Sequence, residues 1–268
     1  MRFAVCSEML AGRSFPQACA LASECGYEGI ELTPAVFGGL PDPQSASTVI
    51  LHRAAAAAGL AIIGMHRLLD SAQALALGQP EPAARARVEG YLVALAECCA
   101  RLGGDVLVLR APPCGRDRER TTALVVDALA PVVVRCGALG VRLSLQPAPS
   151  SLYRTVAEAT ALAKRLGPPV GVQLDIPALC AEGPDPAVVI EGQREAVGLF
   201  CHAHVADCSR RAPGSGPTDF VSIVRALHRI GYAGWLSLEV ADPRGLAESV
   251  VSDSIAYLRA CCRVAGVG

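Results

Sequence analysis

The segment LFCHAHVADCSR, residues 199–210, contains two histidines two positions apart. Residues at i and i+2 of a strand lie on one face of a sheet, so His202 and His204 are expected to point the same way. Ala203 and Val205 then point to the opposite face. This pattern is typical of a site on a strand, and equally of two buried, hydrogen-bonded histidines. Other strands that end in polar residues nearby would favour the site.

Short apolar segments alternate with helical patterns along the whole chain. The predicted strands cover residues 2–6, 29–32, 61–65, 106–109, 142–145, 170–174, 201–205 and 234–238. The predicted helices cover residues 14–25, 44–58, 81–102, 118–138, 155–166, about 185–196, 220–230 and 246–264. Pro131 is expected to kink or split the helix over 118–138.

Eight strand–helix units in 268 residues predict an α/β fold, a single (β/α)8 TIM barrel that spans residues 1–268 as one domain. A doubly wound open sheet is the alternative. It is disfavoured because no glycine-rich phosphate-binding turn follows an early strand.

Composition excludes several classes of function. The net charge is −1 and no run of lysine or arginine occurs, so we expect no nucleic-acid partner. The chain shows no N-terminal signal pattern, and no apolar run is expected to span a membrane. We therefore expect a cytoplasmic protein without a membrane partner, and one that could form a homodimer through its loops.

The twelve cysteines lack C-x-x-C spacing. This argues against a zinc cluster or a redox pair and predicts buried thiols that act as small hydrophobes in a reducing compartment.

Polar residues occur where the predicted strands end. They are Glu31, His66, Arg110, Gln146, Asp175, His204 and Glu239. The residues two positions earlier on four of these strands are also polar, namely Ser144, Gln173, His202 and Ser237. A structural barrel would fill that inner layer with Val, Ile or Leu. Because an unpaired buried polar group costs roughly 1–3 kcal/mol, the layer predicts a network that orients a site above it.

Asp, His and Glu side chains that converge with an amide oxygen suit a divalent cation such as Mn, Mg, Co or Zn. Simpler roles are open for some residues. Glu31 could pair with Arg110 across the barrel mouth, and Asp207 could only hold its loop or Arg210. His52 and His228 are expected on helix surfaces.

Three segments, LDIPALC (174–180), HAHVADCSR (202–210) and PGSGPTDFVSIVRALHRIGYAGWLSLEV (213–240), carry a family resemblance. The chain resembles the sugar isomerase/epimerase superfamily of xylose isomerase-like barrels over nearly its whole length. That superfamily includes ketose 3-epimerases, hydroxypyruvate isomerases, inosose dehydratases and endonuclease IV.

The resemblance implies one divalent metal, held by Glu, Asp, His and Glu at the ends of strands five to eight. Asp175, His204 and Glu239 match three of these ligands, and Gln146 stands at the fourth. Arg210, six residues after His204, resembles the arginine that contacts a substrate oxygen in ketose epimerases.

Two departures from the family pattern matter. Strand five ends in Gln146-Pro147, where the family has Glu-Pro. An amide oxygen can coordinate a cation, but it adds no charge and accepts no proton, so metal binding should be weak or absent and a two-base epimerisation disabled. The family's D-x-x-H after strand six is Asp175-Ile-Pro-Ala178 here, without the histidine.

These features predict a metal-dependent sugar isomerase or epimerase, or a related dehydratase or lyase. Its substrate would be a small keto-sugar, polyol or hydroxy-keto acid, and carboxylate-mediated proton transfer its chemistry. Glu239 is the expected base. His66, which resembles the strand-three histidine near the substrate, or His202 would be the second proton-transfer group. Substrate contacts are expected from Arg210, Glu31 and His202.

The alternative hypothesis is a degenerate barrel without turnover that binds a sugar or a partner protein, because Gln146 replaces the carboxylate. Endonuclease IV-like activity is a distant third, since that branch needs more metal ligands and a DNA-binding face.

Overall fold

The computed structural model describes residues 1–149, 151–183, 185–240 and 248–267, with the side chain of Glu248 excepted. Its eight parallel strands form a closed barrel in sequence order. They are β1 Arg2–Cys6, β2 Gly29–Leu32, β3 Ala61–Met65, β4 Val106–Arg110, β5 Arg142–Gln146, β6 Val170–Asp175, β7 Phe200–Val205 and β8 Trp235–Leu238. The predicted (β/α)8 barrel is confirmed.

Ten α-helices surround the barrel in the described residues. They are α1 Phe15–Cys25, α2 Ala46–Ala57, α3 Ser71–Leu77, α4 Pro82–Arg101, α5 Arg118–Leu139, α6 Val156–Leu166, α7 Ile176–Ala181, α8 Pro186–Gly192, α9 Phe220–Ile230 and α10 Glu248–Ala265. Two of these, α3 and α7, were not predicted. The helix predicted over 185–196 is α8 followed by a 3-10 helix, Arg194–Leu199. The predicted start of the last helix, at residue 246, lies outside the described residues.

Helix α5 departs from two sequence expectations. It runs through Pro131 without a break, so the predicted split does not occur. By length and composition it could also cross a membrane, contrary to the expectation that no apolar run would reach that length. Val125, Leu129 and Val132 on this helix are buried, and it packs beside α4. Its apolar face therefore belongs to the outer layer of the barrel.

The strand register shifts at two places beneath the barrel mouth. One shift lies between Ile30 and Glu31, where β2 pairs with β3, and the other between Val172 and Gln173, where β6 pairs with β7. An extra residue in one strand re-aims the side chains that follow it. The extra residues are Ile63 in β3 and Cys201 in β7, so the second shift lies directly before His202 and His204.

Two cysteines correct the expectation that all thiols are free. Cys180 in α7 and Cys208 after β7 form a disulfide, with 5.7 Å between their Cα atoms. The other ten cysteines are free, and most of them are buried, as expected for small hydrophobes. The disulfide was not predictable from spacing because its two residues come from separate strand–helix units.

Candidate metal centre

The carboxyl ends of β5 to β8 bring together the four residues predicted as metal ligands. Single ligand atoms of Asp175, His204 and Glu239 all lie within 4.8 Å of one another. Gln146 lies beside them and donates from Nε2 to Oδ2 of Asp175 over 2.7 Å. The other oxygen of Asp175, Oδ1, accepts from the backbone N–H of Ala178 and so begins α7.

His204 is placed between two carboxylates. Its Nε2 lies 3.0 Å from Oε2 of Glu31, and its Nδ1 lies 2.8 Å from Oε2 of Glu239. Despite this proximity, Nδ1 is buried and has no hydrogen-bond partner of acceptable geometry among the described residues. Burial opposes the charged form of the ring, but Glu31 and Glu239 outweigh it and raise the pKa of His204 well above its usual range.

Glu31 lies one layer below and is fully buried. Its Oε2 contacts Nε2 of His202 at 2.9 Å as well as Nε2 of His204. Burial alone would raise the pKa of Glu31, but the two histidines hold it well below the usual range. A carboxylate on the far nitrogen of a ligating histidine fixes the ring and strengthens it as a ligand.

The predicted substrate contacts of Glu31 and His202 do not fit this placement. Neither side chain lines the cavity, and both are completely buried. They support His204 from below instead. The alternative pairing of Glu31 with Arg110 is also absent from the described contacts, because Arg110 lies at the exposed edge of β4.

The polar inner layer forms a network only in part. Ser237 Oγ lies 3.4 Å from the thiol of Cys6, which in turn contacts Glu31. Ser144 Oγ and both amide atoms of Gln173 have no hydrogen-bond partner in the described part of the chain. The predicted orienting role therefore fits His202 and Ser237. Ser144 and Gln173 make no side-chain hydrogen bond in the described part of the chain that would support it.

A second group of charged residues borders Glu239 on the side of β3. His66 Nε2 lies 3.0 Å from Oε2 of Glu8, and its Nδ1 lies 3.6 Å from Oε1 of Glu239. Arg67 pairs with both Glu8 and Glu239. The sequence reasoning missed Glu8 and Arg67, although Arg67 follows the strand-end His66 directly.

These charges also set the ionisation of His66 and Glu239. Burial opposes protonation of His66, but Cys6 and Glu31, with Glu8, raise its pKa well above the usual range. Burial likewise would raise the pKa of Glu239. His204 outweighs it, with help from His66 and Arg67, and the carboxyl pKa falls far below its usual range. Glu239 is therefore a carboxylate at neutral pH.

A cavity of about 520 Å³ opens above these residues at the barrel mouth. Gln146, Asp175 and Glu239 form part of its lining, whereas His204 and His66 lie behind it. Pro177 also lines it, close to the place where the family motif would put a histidine. A ligand in the cavity would thus meet two carboxylates and one amide of the centre.

Comparison with known proteins agrees with this architecture. A family model described as xylose isomerase-like TIM barrel matches residues 19–261. The chain belongs to this family. No curated protein sequence matches the chain.

Solved structures with the same fold include several sugar epimerases. D-psicose 3-epimerase, solved in the presence of D-fructose, is 19% identical over 100% of both chains, with a TM-score of 0.84. L-ribulose 3-epimerase is 22% identical over 99% of this chain and 97% of its own, with a TM-score of 0.83. The 3-keto-D-glucoside 4-epimerase of E. coli is 19% identical over 97% of this chain and 100% of its own, with a TM-score of 0.82. These similarities show a shared fold.

In this member of the xylose isomerase-like family, Asp207 organises the loop after β7. Its carboxylate accepts hydrogen bonds from Ser209 and Thr218, and the Cα of Gly216 lies so close that a Cβ there would collide with it. Burial opposes ionisation of Asp207, but these hydrogen bonds lower its pKa to about 2. Asp207 thus fixes the loop that carries Arg210, as the simpler hypothesis proposed.

The residues of the centre fit a divalent cation. Their ligand set carries one negative charge fewer than the family pattern, because Gln146 stands in place of a glutamate. Two carboxylates and the imidazole of His204 converge, and Gln146 adds a neutral amide. A second group, formed by Cys6, His66 and His204, also brings three ligand atoms together below the centre.

Proposed function

We propose that the protein is a metal-dependent sugar isomerase whose substrate is a small keto-sugar, polyol or hydroxy-keto acid. The observation that carries the proposal is the convergence of Asp175, His204 and Glu239 within 4.8 Å, with Nδ1 of His204 only 2.8 Å from Oε2 of Glu239. The epimerases that share the fold support a sugar substrate.

Asp175, His204 and Glu239, with Gln146, would hold the cation. When bound, a divalent cation polarises a substrate carbonyl or hydroxyl and makes the neighbouring C–H more acidic. Glu31 would keep the ring of His204 oriented through Nε2, so that Nδ1 faces the cavity side.

Glu239 would carry the proton. Its ionised carboxylate lines the cavity, so it can accept a proton from the carbon next to a carbonyl and return it to the carbonyl carbon, while the proton of the neighbouring hydroxyl passes to the former carbonyl oxygen. His66 Nδ1 lies 3.6 Å from Oε1 of Glu239 but does not line the cavity. We therefore assign His66 to positioning Glu239 rather than to direct proton transfer.

The amide at position 146 favours isomerisation over epimerisation. Inversion at one carbon needs proton-transfer groups on opposite faces of the substrate, and an amide accepts no proton. A single carboxylate can still move a proton between neighbouring carbons on one face. Exchange of a carbonyl between adjacent carbons therefore fits the centre better than epimerisation.

The test is turnover by the manganese-loaded protein on a panel of aldoses, ketoses and hydroxy-keto acids, followed by NMR. We expect bound metal, conversion of at least one substrate and incorporation of solvent deuterium next to its carbonyl. Glu239→Gln should abolish conversion, whereas Glu97→Gln, in an ion pair on the outer surface, should retain it. Full activity of Glu239→Gln would overturn the assignment of the base.

A non-catalytic sugar-binding barrel is the second candidate, favoured by the amide at Gln146 and by the pairing of Arg67 with Glu239. In that case the wild-type protein takes up no metal and converts nothing. Turnover would appear only after Gln146→Glu restores the missing carboxylate.

A further inference from the structure

Three arginines line the cavity above the candidate metal centre: Arg67, Arg110 and Arg210. They come from different strand ends, after β3, at the end of β4 and after β7. Arg67 is engaged, because it pairs with Glu239 and Glu8. Arg110 and Arg210, in contrast, form no ion pair with a described residue.

Arg110 has no acidic partner in the described ranges of the chain. Its neighbour in the strand register is Gln146, at the end of β5. A glutamate at that position would place a negative charge beside the guanidinium. The neutral amide of Gln146 donates to Asp175 instead, so Gln146 does not compensate the positive charge of Arg110, which lines the cavity.

Arg210 is also without a carboxylate partner among the residues that the structure describes. Its backbone is left-handed, with φ of 62°, and its N–H donates to the carbonyl of Asp207 over 2.6 Å. The carboxylate of Asp207 is occupied by Ser209 and Thr218. The adjacent Cys208 is held to α7 by the disulfide. Arg210 therefore projects from a constrained loop.

The charges of the cavity do not cancel once the metal ligands are accounted for. Its lining includes three carboxylates, Asp70, Asp175 and Glu239. A divalent cation would neutralise the last two, and Asp70 caps α3 by accepting from Gln73. The positive charges of Arg110 and Arg210 then exceed the single negative charge that remains in the described lining, that of Asp70.

We propose that Arg110 and Arg210 form a subsite for an anionic group of the substrate, a carboxylate or a phosphate. This rests on the proposed function, and it narrows the substrate to an acidic sugar. A guanidinium matches the two oxygens of a carboxylate or phosphate with paired N–H donors, which a sugar hydroxyl cannot do. The cavity of about 520 Å³ has the size of small-ligand pockets, roughly 300–1,000 Å³.

The test measures binding without turnover. Isothermal titration of the manganese-loaded protein uses D-glucuronate, D-fructose 6-phosphate and the neutral D-fructose. We expect at least one acidic sugar to bind about tenfold or more tightly than D-fructose. The tighter of the two acids identifies carboxylate or phosphate as the recognised group.

Variants separate the subsite from general charge effects. Arg110→Ala should remove about tenfold in affinity for the acidic sugar and leave D-fructose unchanged, and Arg110→Lys should retain part of the preference. Arg194→Ala is the matched control, because Arg194 is exposed in the 3-10 helix before β7, at the opposite end of the barrel. Thermal unfolding of each variant checks that it folds.

Two results would overturn the subsite: equal affinity of the wild type for all three sugars, including no detectable binding of any, or an unchanged preference in Arg110→Ala. Tight binding of an acidic sugar without any turnover would instead contradict the proposed isomerase and leave the subsite standing.

Discussion

The guanidinium of Arg67 lies on the carboxylate of Glu239, with Nε 3.1 Å and Nη2 3.0 Å from Oε1. The other oxygen of Glu239, Oε2, faces Nδ1 of His204 at 2.8 Å. One oxygen of this carboxylate thus contacts the guanidinium of Arg67, and the other faces the candidate metal centre. Because both cations draw on the same negative charge, Arg67 should weaken the binding of a metal.

Removing Arg67 should therefore tighten metal binding. The Arg67 side chain is about half exposed, so the ion pair is screened and contributes little energy. We expect Arg67→Ala to increase Mn²⁺ affinity by about two- to fivefold. Isothermal titration with MnCl₂ measures this change.

The chain offers a closely matched control for that variant. Arg135 donates from Nε and Nη2 to Oε1 of Glu97 in the same geometry and at nearly the same exposure, on the outer helices. Arg135→Ala should leave Mn²⁺ affinity unchanged. Equal or weaker metal binding by Arg67→Ala would show that Arg67 does not compete for Glu239.

The residue at position 146 should set the strength of the metal site. Gln146→Glu adds a carboxylate next to Asp175 and restores the ligand charge that the family pattern contains. We expect Mn²⁺ affinity to rise by at least about tenfold, which corresponds to about 1.4 kcal/mol. Gln193→Glu adds the same charge before β7, at the far end of the barrel, and should have no effect. The same affinity in both variants would place residue 146 outside the ligand set.

Much of the barrel and part of the site follow from local patterns. The alternation along β5 to β8 correctly predicts that Gln146, Asp175 and His204 share the inner face, because side-chain direction on a strand has a period of two. The same reasoning finds the buried layer that contains His202 and Ser237. Patterns of this kind need only neighbouring residues, so one sequence suffices for them.

The remaining features depend on contacts between distant segments. Glu8 and Arg67 meet at Glu239 because β1, β3 and β8 converge at the mouth, and each residue alone is an ordinary charged side chain after a strand. Cys180 and Cys208 likewise meet because the segments after β6 and β7 are adjacent. Neither relationship has a local periodic signal.

The disulfide gives a prediction about stability. It closes a segment of 28 residues, and the loss of chain entropy in the unfolded state corresponds to at most about 3–4 kcal/mol. Reduction with dithiothreitol should lower the free energy of unfolding in urea towards that limit. The double variant Cys180→Ser/Cys208→Ser should no longer respond to the reductant.

Thiol titration under denaturing conditions provides an independent check of the disulfide. Ten thiols should react before reduction and all twelve after it. Twelve reactive thiols in the unreduced protein would show that Cys180 and Cys208 are not bonded in solution.

Asp207 should link the loop after β7 to acid stability. The pKa of its carboxyl is lowered to about 2 by hydrogen bonds from Ser209 and Thr218, despite its burial. A group with a lowered pKa in the folded state stabilises the protein above its unfolded pKa of about 4, and that stabilisation disappears as the pH falls towards 2. The shift corresponds to about 2 kcal/mol at neutral pH.

Asp207→Asn should therefore lower the free energy of unfolding by about 2 kcal/mol at pH 7, measured by urea denaturation. The difference from wild type should shrink as the pH is lowered from 4 towards 2, because the wild-type carboxyl then becomes protonated. Asp127→Asn, on the exposed face of α5, removes the same charge and should change stability little. A difference that stays constant down to pH 2 would mean that Asp207 stabilises the loop by shape rather than by its charge.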